Sequence, residues 1–293
     1  MTAGYGISVE GLRLGRIPTA TALGSLCLSW RSERAVAPAD APPVWVREEA
    51  DTLTVGWAGL AEYRVGRAPS EARVSLIGAD EEQAALCFLL SMLPLAVPLF
   101  GLEPMHGSAV ALDTGALLLL GASGSGKSTL ASRLAGMGWR FLADDASAID
   151  ASGRLWPGPP LLARRAKGEP WPVVGPHGAK TVVRLPGHRP DPIRPSAVAV
   201  LAPQPGGSHE VRSVDSSAAI KALLGHVRAP GVLAARRRPL QLRVAATLAR
   251  LPVCEVSYDH GRHSVDKVAQ SLIAWASDAS SQRKPAAMRE VVA

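Results

Sequence analysis

The segment from Gly121 to Ser128 reads GASGSGKS and matches the pattern G-x-x-x-x-G-K-[ST] without a mismatch. Glycines let the backbone N–H groups of such a loop turn toward a polyphosphate without Cβ clashes, and the helix that follows offers its positive N-terminal end. The pattern predicts that Lys127 reaches the β- and γ-phosphates of ATP and that the Ser128 hydroxyl binds Mg²⁺. The residues predicted to bind the nucleotide are Gly121, Ser123, Gly124, Ser125, Gly126, Lys127, Ser128 and Thr129.

Two adjacent acidic residues, Asp144 and Asp145, follow Ser128 by 16 and 17 residues, at the end of an apolar run. One carboxylate of such a pair can hold Mg²⁺, directly or through water, while the other accepts a proton from the nucleophile. We assign Asp145 to the metal site together with Ser128, and we count both carboxylates as catalytic. The sequence leaves open which of the two is the base, and an ordinary polar turn is the alternative without chemistry.

His106 precedes the apolar run SAVAL, which leads toward the glycine-rich loop. A neutral imidazole at this place can contact the γ-phosphate or orient an acidic group. A purely structural histidine is the alternative.

The elements around these residues predict an α/β nucleotide-binding core. Two apolar runs flank Asp113-Thr114-Gly115, which is typical of a β-hairpin. A short helix closed by Gly138 follows the glycine-rich loop, and the next strand ends at the acidic pair.

The rest of the chain predicts three parts. Residues 1–100 form a small, β-rich or α+β N-terminal domain that includes a helix over residues 80–93 with Asp80 near its N-terminus. Residues 101–278 form the catalytic domain, and residues 279–293 a disordered tail. Within the catalytic domain, residues 151–195 are rich in Pro, Gly and Arg, which favours long loops with one short strand at 180–185. Later runs predict strands at 196–203 and 252–258 and helices at 216–227, 239–250 and 264–276.

The composition is ordinary for a folded soluble protein of 293 residues, with 47% hydrophobic and 19% charged residues. The net charge of +7 is concentrated in residues 151–250, which hold 16 basic and 4 acidic side chains. This segment can face an anionic partner such as a nucleotide, an acidic peptide or nucleic acid, or it can reflect an arginine-rich proteome. Three widely spaced cysteines argue against a disulfide framework or a zinc site and fit a reducing cytoplasm.

No membrane segment is predicted. The N-terminal residues lack a basic start followed by an apolar run, so we expect no signal peptide. Residues 84–102 carry no charge, but Pro94 and Pro98 interrupt them, and a buried helix is the better interpretation.

The run MHGSAVALDTGALLLLGASGSGKSTLASRLAGMGWRFLADDASAID resembles the catalytic core of HPr serine kinase/phosphorylases. It is more similar to the HPr-kinase-like group that includes kinases encoded beside lasso-peptide-modifying enzymes. The shared features are a His before a strand–hairpin–strand, GxSGxGKST, a short helix ending in Gly, and L-x-DD. The resemblance is specific over residues 104–150 and continues more loosely to residue 277.

The resemblance implies the fold of HPr kinases and phosphoenolpyruvate carboxykinases, Mg²⁺-dependent transfer of phosphate from a nucleotide to a serine hydroxyl of a peptide or protein, and a homo-oligomer. We expect ATP as the nucleotide, although no base-reading motif separates ATP from GTP. It implies that His106 lies near the phosphates. The family's Glu-x-Arg-Gly signature has no counterpart that we can align, which puts HPr as the acceptor and the phosphorylase activity in doubt. Lys180 is our first candidate for stabilising transition-state charge, ahead of Arg165 and Arg184.

Three other functions remain open from the sequence. The acceptor can be a small metabolite, or the chain can couple ATP hydrolysis to a partner, although no LSGGQ-like or NKxD motif is present. A nucleotide-sensing or nucleic-acid-binding module is the third alternative, but the basic segment lacks the interleaved aromatic residues of single-strand binders. We therefore expect neither nucleic acid nor membrane as a partner.

Overall fold

The computed structural model describes residues 2–5, 7–10, 26–36, 42–68, 70–112, 115–165, 171–186 and 191–281. Within these ranges the chain is a mixed α/β protein with four β-sheets. The residues of the predicted hairpin turn at 113 and 114, and most of the predicted tail, lie outside them.

The first 76 residues supply a seven-stranded sheet with the strand order β1-β2-β3-β7-β6-β5-β4. Its strands are β1 (Thr2–Gly4), β2 (Ile7–Glu10), β3 (Leu26–Arg34), β4 (Val44–Glu48), β5 (Thr52–Trp57), β6 (Ala61–Gly66) and β7 (Glu71–Leu76). Strand β3 is parallel to β2 and β7, and the other pairs are antiparallel. The run DTLTVGWAGLAEYRVG, in which apolar and polar residues alternate, forms the β5–β6 hairpin.

A continuous helical segment from Glu81 to Phe100 packs on this sheet. It begins as α1 (Glu81–Cys87), and Asp80 caps it as predicted, with Gln83 completing a capping box. A π-helical turn, α2 (Leu93–Ala96) and a 3₁₀ turn follow.

The expectation that Pro94 and Pro98 interrupt this segment was wrong. Each proline lies in the first turn of its own helical stretch, where its missing N–H costs least, so the helix changes type and continues. By length and composition the segment could cross a membrane, yet 67% of its most apolar window is buried inside the protein. Phe88 is fully buried against Trp30 and Tyr63, which favours a core helix.

A six-stranded sheet with the order β11-β9-β10-β17-β19-β18 forms the centre of the remaining chain. Its strands are β9 (Gly107–Leu112), β10 (Gly115–Gly121), β11 (Arg140–Ala143), β17 (Pro195–Pro203), β18 (Glu210–Ser213) and β19 (Val253–Tyr258). Strands β10, β17 and β19 are parallel. Because β9 is antiparallel to both β10 and β11, strand β11 runs parallel to them as well. The carboxyl ends of four strands therefore meet at one edge of the sheet, where open α/β sheets commonly bind ligands.

Two three-stranded sheets flank this core. One has the order β13-β12-β8 and the other β14-β16-β15. Their strands are β8 (Glu103–Met105), β12 (Ser147–Ile149), β13 (Leu155–Trp156), β14 (Leu161–Arg164), β15 (Val173–His177) and β16 (Lys180–Arg184). The predicted strand at 180–185 is confirmed as β16. Elsewhere in the described part of 151–195 long loops were expected, but three further strands are present. These strands are too short to show a periodic pattern. Strands β14 and β15 pair with β16, and β13 pairs with β12, so none of them joins the central sheet.

Four further helices complete the described chain. They are α3 (Lys127–Gly136), α4 (Ser216–Gly225), α5 (Ala234–Leu248) and α6 (Val265–Ser281). Helix α5 begins five residues before the predicted start at Pro239, so this proline lies inside the helix.

Buried side chains connect the N-terminal sheet to the later chain. One hydrophobic cluster joins Tyr63 and Phe88 with Ala146, Val182 and Leu233. Two more clusters cover the two faces of the central sheet. The division into domains near residue 100 stays a prediction, and the packing on the two sides of that position is continuous.

Candidate functional site

The glycine-rich loop lies between β10 and α3, as the sequence predicted. Gly124 and Gly126 have positive φ angles of 83° and 85°, which L side chains rarely adopt. A Cβ atom on Gly126 would lie 2.9 Å from the hydroxyl of Tyr258, the last residue of β19. That hydroxyl donates a hydrogen bond to the Ser125 carbonyl, so β19 supports the loop from the side. The Ser125 hydroxyl is buried and has no hydrogen-bond partner among the described residues, so the loop holds a free polar group of the kind that a phosphate oxygen can satisfy.

Lys127 is only 6% exposed, and all three of its ammonium donors are engaged. Its Nζ atom donates to the carbonyl oxygens of Gly121 and Ala122 at 2.8 Å and to Nε2 of His106 at 3.2 Å. Burial lowers the pKa of Lys127, and the carboxylates of Asp144 and Asp145 oppose this effect. Binding a phosphate therefore requires the ammonium to exchange at least one of these contacts.

Asp144 lies at the carboxyl end of β11, next to the start of α3. Its Oδ1 atom accepts hydrogen bonds from the hydroxyls of Ser128 at 2.8 Å and Ser108 at 2.5 Å. Burial raises the pKa of Asp144, whereas the two serine hydroxyls lower it. The sequence predicts that Ser128 shares a metal site with Asp145, but the structure brings Ser128 together with Asp144.

Asp145 points to a different set of partners. It has a positive φ of 63°, which is unusual for a residue other than glycine. Its Oδ2 atom lies 2.7 Å from Nη1 of Arg228, and its Oδ1 atom lies 3.5 Å from Nδ1 of His106. Its backbone carbonyl accepts hydrogen bonds from the same two side chains, Arg228 at 3.0 Å and His106 at 3.2 Å. The two neighbouring carboxylates thus have separate environments, one of hydroxyls and one of cationic or imidazole groups.

His106 lies between Lys127 and Asp145. Burial and the Lys127 ammonium lower its pKa, so the ring is neutral at pH 7. Because an ammonium can only donate, Nε2 accepts from Lys127, and we assign the ring proton to Nδ1, which donates to the Asp145 carbonyl. The backbone N–H of His106 donates to the carbonyl of His226, whose own pKa is lowered by burial and by Lys127.

Lys180 lies at the rim of this site. It is exposed and pairs with His177 across the turn that joins β15 to β16. Burial lowers the pKa of both Lys127 and His177, and the charge of Lys180 lowers both further, whereas Asp145 raises the pKa of His177. The turn is therefore close to the loop and to the acidic pair. Arg184 lies at the opposite end of β16, and Arg165 is exposed beyond the end of β14.

Sequence reasoning missed several residues that complete the site. Ser108 lies in an apolar strand, where only its hydroxyl could have indicated a role. The sequence gives no signal for Arg228, because it reaches Asp145 from 83 residues away. Tyr5 was also missed. Its buried hydroxyl donates to the carbonyl of Ala146, the residue after the acidic pair, at 3.0 Å. The turn after β1 thus contributes a side chain that binds the backbone next to the acidic pair.

A cleft of about 720 Å³ opens beside the glycine-rich loop. The loop, the ends of β17 and β19, and the end of α4 line it, and its polar side chains include Gln204, His226, Asp259 and His260. Its size is within the range of small-molecule sites. Among the described residues there is no group of three or more His, Cys, Asp or Glu side chains arranged to bind a metal. A protein Mg²⁺ site of one carboxylate and one hydroxyl is nevertheless typical where substrate phosphates and water complete the shell.

Comparisons with known proteins add little to this geometry. No protein-family model matches the chain, and no curated protein matches it either. Among solved structures, the Hpr(Ser) kinase/phosphatase from Coxiella burnetii is similar with a TM-score of 0.31 and 12% sequence identity, over 62% of this chain and 99% of that chain. This is a distant structural similarity, and at this TM-score any assignment of activity depends on the residues of the site.

Proposed function

We propose that this chain is a kinase that transfers the γ-phosphoryl group of ATP to a serine hydroxyl on a peptide or protein. One observation carries the proposal: the loop lysine, the loop serine and two carboxylates with different partners meet at one edge of the central sheet. Phosphoryl transfer needs mainly positioning and neutralisation of charge, and this arrangement supplies both.

The loop from Gly121 to Thr129 would hold the phosphates through its backbone N–H groups and Lys127. The buried, unpartnered hydroxyl of Ser125 fits a phosphate oxygen. The neighbouring cleft of about 720 Å³ would take the nucleoside. In this arrangement His106 holds the Lys127 ammonium beside the loop while remaining uncharged.

The contacts of the two carboxylates favour a division of labour. Asp144 and Ser128 would hold Mg²⁺, because their oxygen atoms lie 2.8 Å apart and can face one cation. When bound, Mg²⁺ would neutralise charge on the phosphate oxygens. This differs from the metal assignment of Asp145 made from the sequence, and Asp145 is the better candidate for the base.

In the proposed reaction the acceptor hydroxyl oxygen bonds to the γ-phosphorus as the bond to the β–γ bridging oxygen breaks. ADP leaves, and Asp145 takes the hydroxyl proton. Arg228 and His106 fix the orientation of that carboxylate. Lys180, at the rim, would stabilise developing negative charge, with the acceptor entering beside the β15–β16 turn.

The test is transfer of label from γ-labelled ATP in the presence of Mg²⁺, with a panel of serine-containing peptides. The variants are Lys127→Ala, Asp144→Asn and Asp145→Asn, and the matched control is Lys221→Ala, which removes an exposed lysine from α4. We expect label on a peptide serine with the wild type and the control, and at least about a hundredfold less with the three site variants. Release of free phosphate alone, whatever peptide is offered, would contradict the kinase proposal and favour a coupled ATPase. Label on a small metabolite instead would show that the chain is a small-molecule kinase and not a peptide or protein kinase.

A further inference from the structure

Arg237 and Glu103 form a buried ion pair, and neither is a residue that we expect to contact ATP. Arg237 on α5 is 2% exposed, and Glu103 on β8 is fully buried. The guanidinium donates to both carboxylate oxygens of Glu103, from Nη2 at 2.7 Å and from Nε at 3.2 Å. Such a pair is weak evidence for stability, because apolar side chains of similar volume often stabilise a core equally well.

The remaining donors of Arg237 point to a more specific role. Its Nη1 atom donates to the carbonyls of Ala229 at 2.7 Å and Val232 at 2.9 Å, and its Nη2 atom donates to the carbonyl of Arg228 at 2.9 Å. All five N–H donors of the guanidinium are thus used, two on Glu103 and three on the loop at residues 228–233, which we call the arginine loop.

The arginine loop needs such support because its backbone is strained. Among the described residues, four other than glycine have a positive φ, and two of them, Ala229 and Leu233, are in this loop. The other two are Asp145 and Tyr5, whose hydroxyl binds the carbonyl next to Asp145. Strained backbone of this kind persists where the surroundings hold it, and it often marks functional sites.

Glu103 lies on β8, the strand that precedes His106. Strand β8 leads directly into His106, and its Pro104 carbonyl accepts the backbone N–H of Arg228 at 2.9 Å. The His106 N–H in turn donates to the His226 carbonyl at 2.6 Å. The Arg237–Glu103 ion pair therefore joins the segment that carries Arg228 to the segment that carries His106. The side chains of Arg228 and His106 both contact Asp145.

We infer that Arg237 and Glu103 are positioning residues, which set the place of Arg228 and, through it, of Asp145. The expected effect on ATP turnover rests on the proposed function, while the expected effect on the backbone near Arg228 and Asp145 can be measured separately. A lysine at 237 keeps the positive charge but has only three donors, so it cannot hold Glu103 and all three carbonyls.

The first measurement is the ATP turnover of Arg237→Lys, with free-phosphate release or peptide labelling as the readout, together with the dissociation constant for Mg·ATP. The matched control is Arg238→Lys, the exposed neighbour on the same helix. We expect kcat to fall by at least about tenfold with the affinity for Mg·ATP changed by less than about twofold, because only positioning is lost. In an Arg228→Lys background, Arg237→Lys should lower kcat by less than about a further twofold, because residues that act through each other are not additive. An unchanged kcat in Arg237→Lys, or independent effects of the two substitutions, would overturn the inference.

The second measurement is amide hydrogen exchange of folded protein over residues 226–233 and 144–149. We expect Arg237→Lys, and also Glu103→Gln if the lysine variant does not fold, to speed exchange in both segments but not in residues 253–258 of the central sheet. Unchanged exchange in residues 144–149 would sink the inference. If the wild type neither binds nor turns over ATP, the proposed function fails, and this second measurement still decides whether the pair positions Asp145.

Discussion

The hydroxyls of Ser128 and Ser108 donate to the same oxygen atom of Asp144, at 2.8 Å and 2.5 Å. One hydroxyl comes from the first turn of α3 and the other from β9, so two elements fix the carboxylate. Asp145, the next residue along the chain, pairs with Arg228 instead.

This arrangement predicts that the two carboxylates differ in their response to Mg²⁺. Asp144→Asn should abolish most of the tightening of ATP binding that Mg²⁺ causes, because an amide is a poorer ligand for a hard cation. Asp145→Asn should keep that tightening and instead lower turnover by about a hundredfold, the size expected for loss of a general base. Titration of each variant with ATP, with Mg²⁺ and with a chelator, measures the first effect. Loss of the Mg²⁺ response in Asp145→Asn alone would restore the assignment made from the sequence.

Ser108→Ala should weaken the Mg²⁺ response without abolishing it. The substitution removes one of two donors to Oδ1 of Asp144 and leaves Ser128 in place, so the carboxylate is less firmly held. We expect the free energy of unfolding to fall by about 1 kcal/mol, the usual size for one hydrogen bond. The control is Ser147→Ala, another buried serine, which donates to the Gly107 carbonyl and not to a carboxylate. Equal changes in the Mg²⁺ response of the two variants would show that Ser108 has no specific role.

The two glycines with positive φ in the loop should differ in their tolerance of alanine. Gly124→Ala meets no atom within 4 Å and adds only backbone strain, so it should destabilise the fold by about 1 kcal/mol. Gly126→Ala adds the same strain and also places its Cβ 2.9 Å from the Tyr258 hydroxyl. It should therefore destabilise more and should weaken ATP binding, and Tyr258→Phe in the same chain should recover part of the loss. Thermal unfolding and ATP titration check both effects, and equal destabilisation by the two alanines would contradict the role given to Tyr258.

The sequence predicted the local structure of the site well because the information there is local. The strand–loop–helix around Lys127, the strand before Asp144 and the capped helix after Asp80 all depend on residues close in the chain. Strands β13, β14 and β15, which lie between residues 151 and 195, were missed for the opposite reason, since they are stabilised by partners in other segments.

The partners of the acidic pair could not be predicted, because they come from distant parts of the chain. Arg228 lies on a strained loop held by Arg237, and neither residue has a signal in a single sequence. Adjacent carboxylates also point in different directions when the second has a positive φ, and a residue type alone does not reveal that angle. The sequence therefore identified the acidic pair but not the partner of each member.

Acidification should destabilise the protein in part through His106. Its pKa in the folded state lies below the ordinary value of 6.5, because burial and Lys127 disfavour the imidazolium. Below pH 6.5 the unfolded chain therefore binds more protons at this residue than the folded protein does, and the free energy of unfolding falls as the pH falls. Burial lowers the pKa values of His177 and His226 as well, so they add to the loss, whereas Asp144, with a raised pKa, acts in the opposite direction at lower pH.

The contribution of His106 can be isolated with His106→Gln, whose amide can still accept from Lys127 and donate to Asp145 but does not titrate. The experiment compares urea unfolding of the wild type and the variant at pH 7.5 and pH 5.5. We expect the variant to lose less stability between the two pH values than the wild type, because one of the sites that resist protonation is gone. A loss equal to that of the wild type would mean that the folded protein binds a proton at His106 as readily as the unfolded chain. The assignment of a neutral His106 between Lys127 and Asp145 would then be wrong.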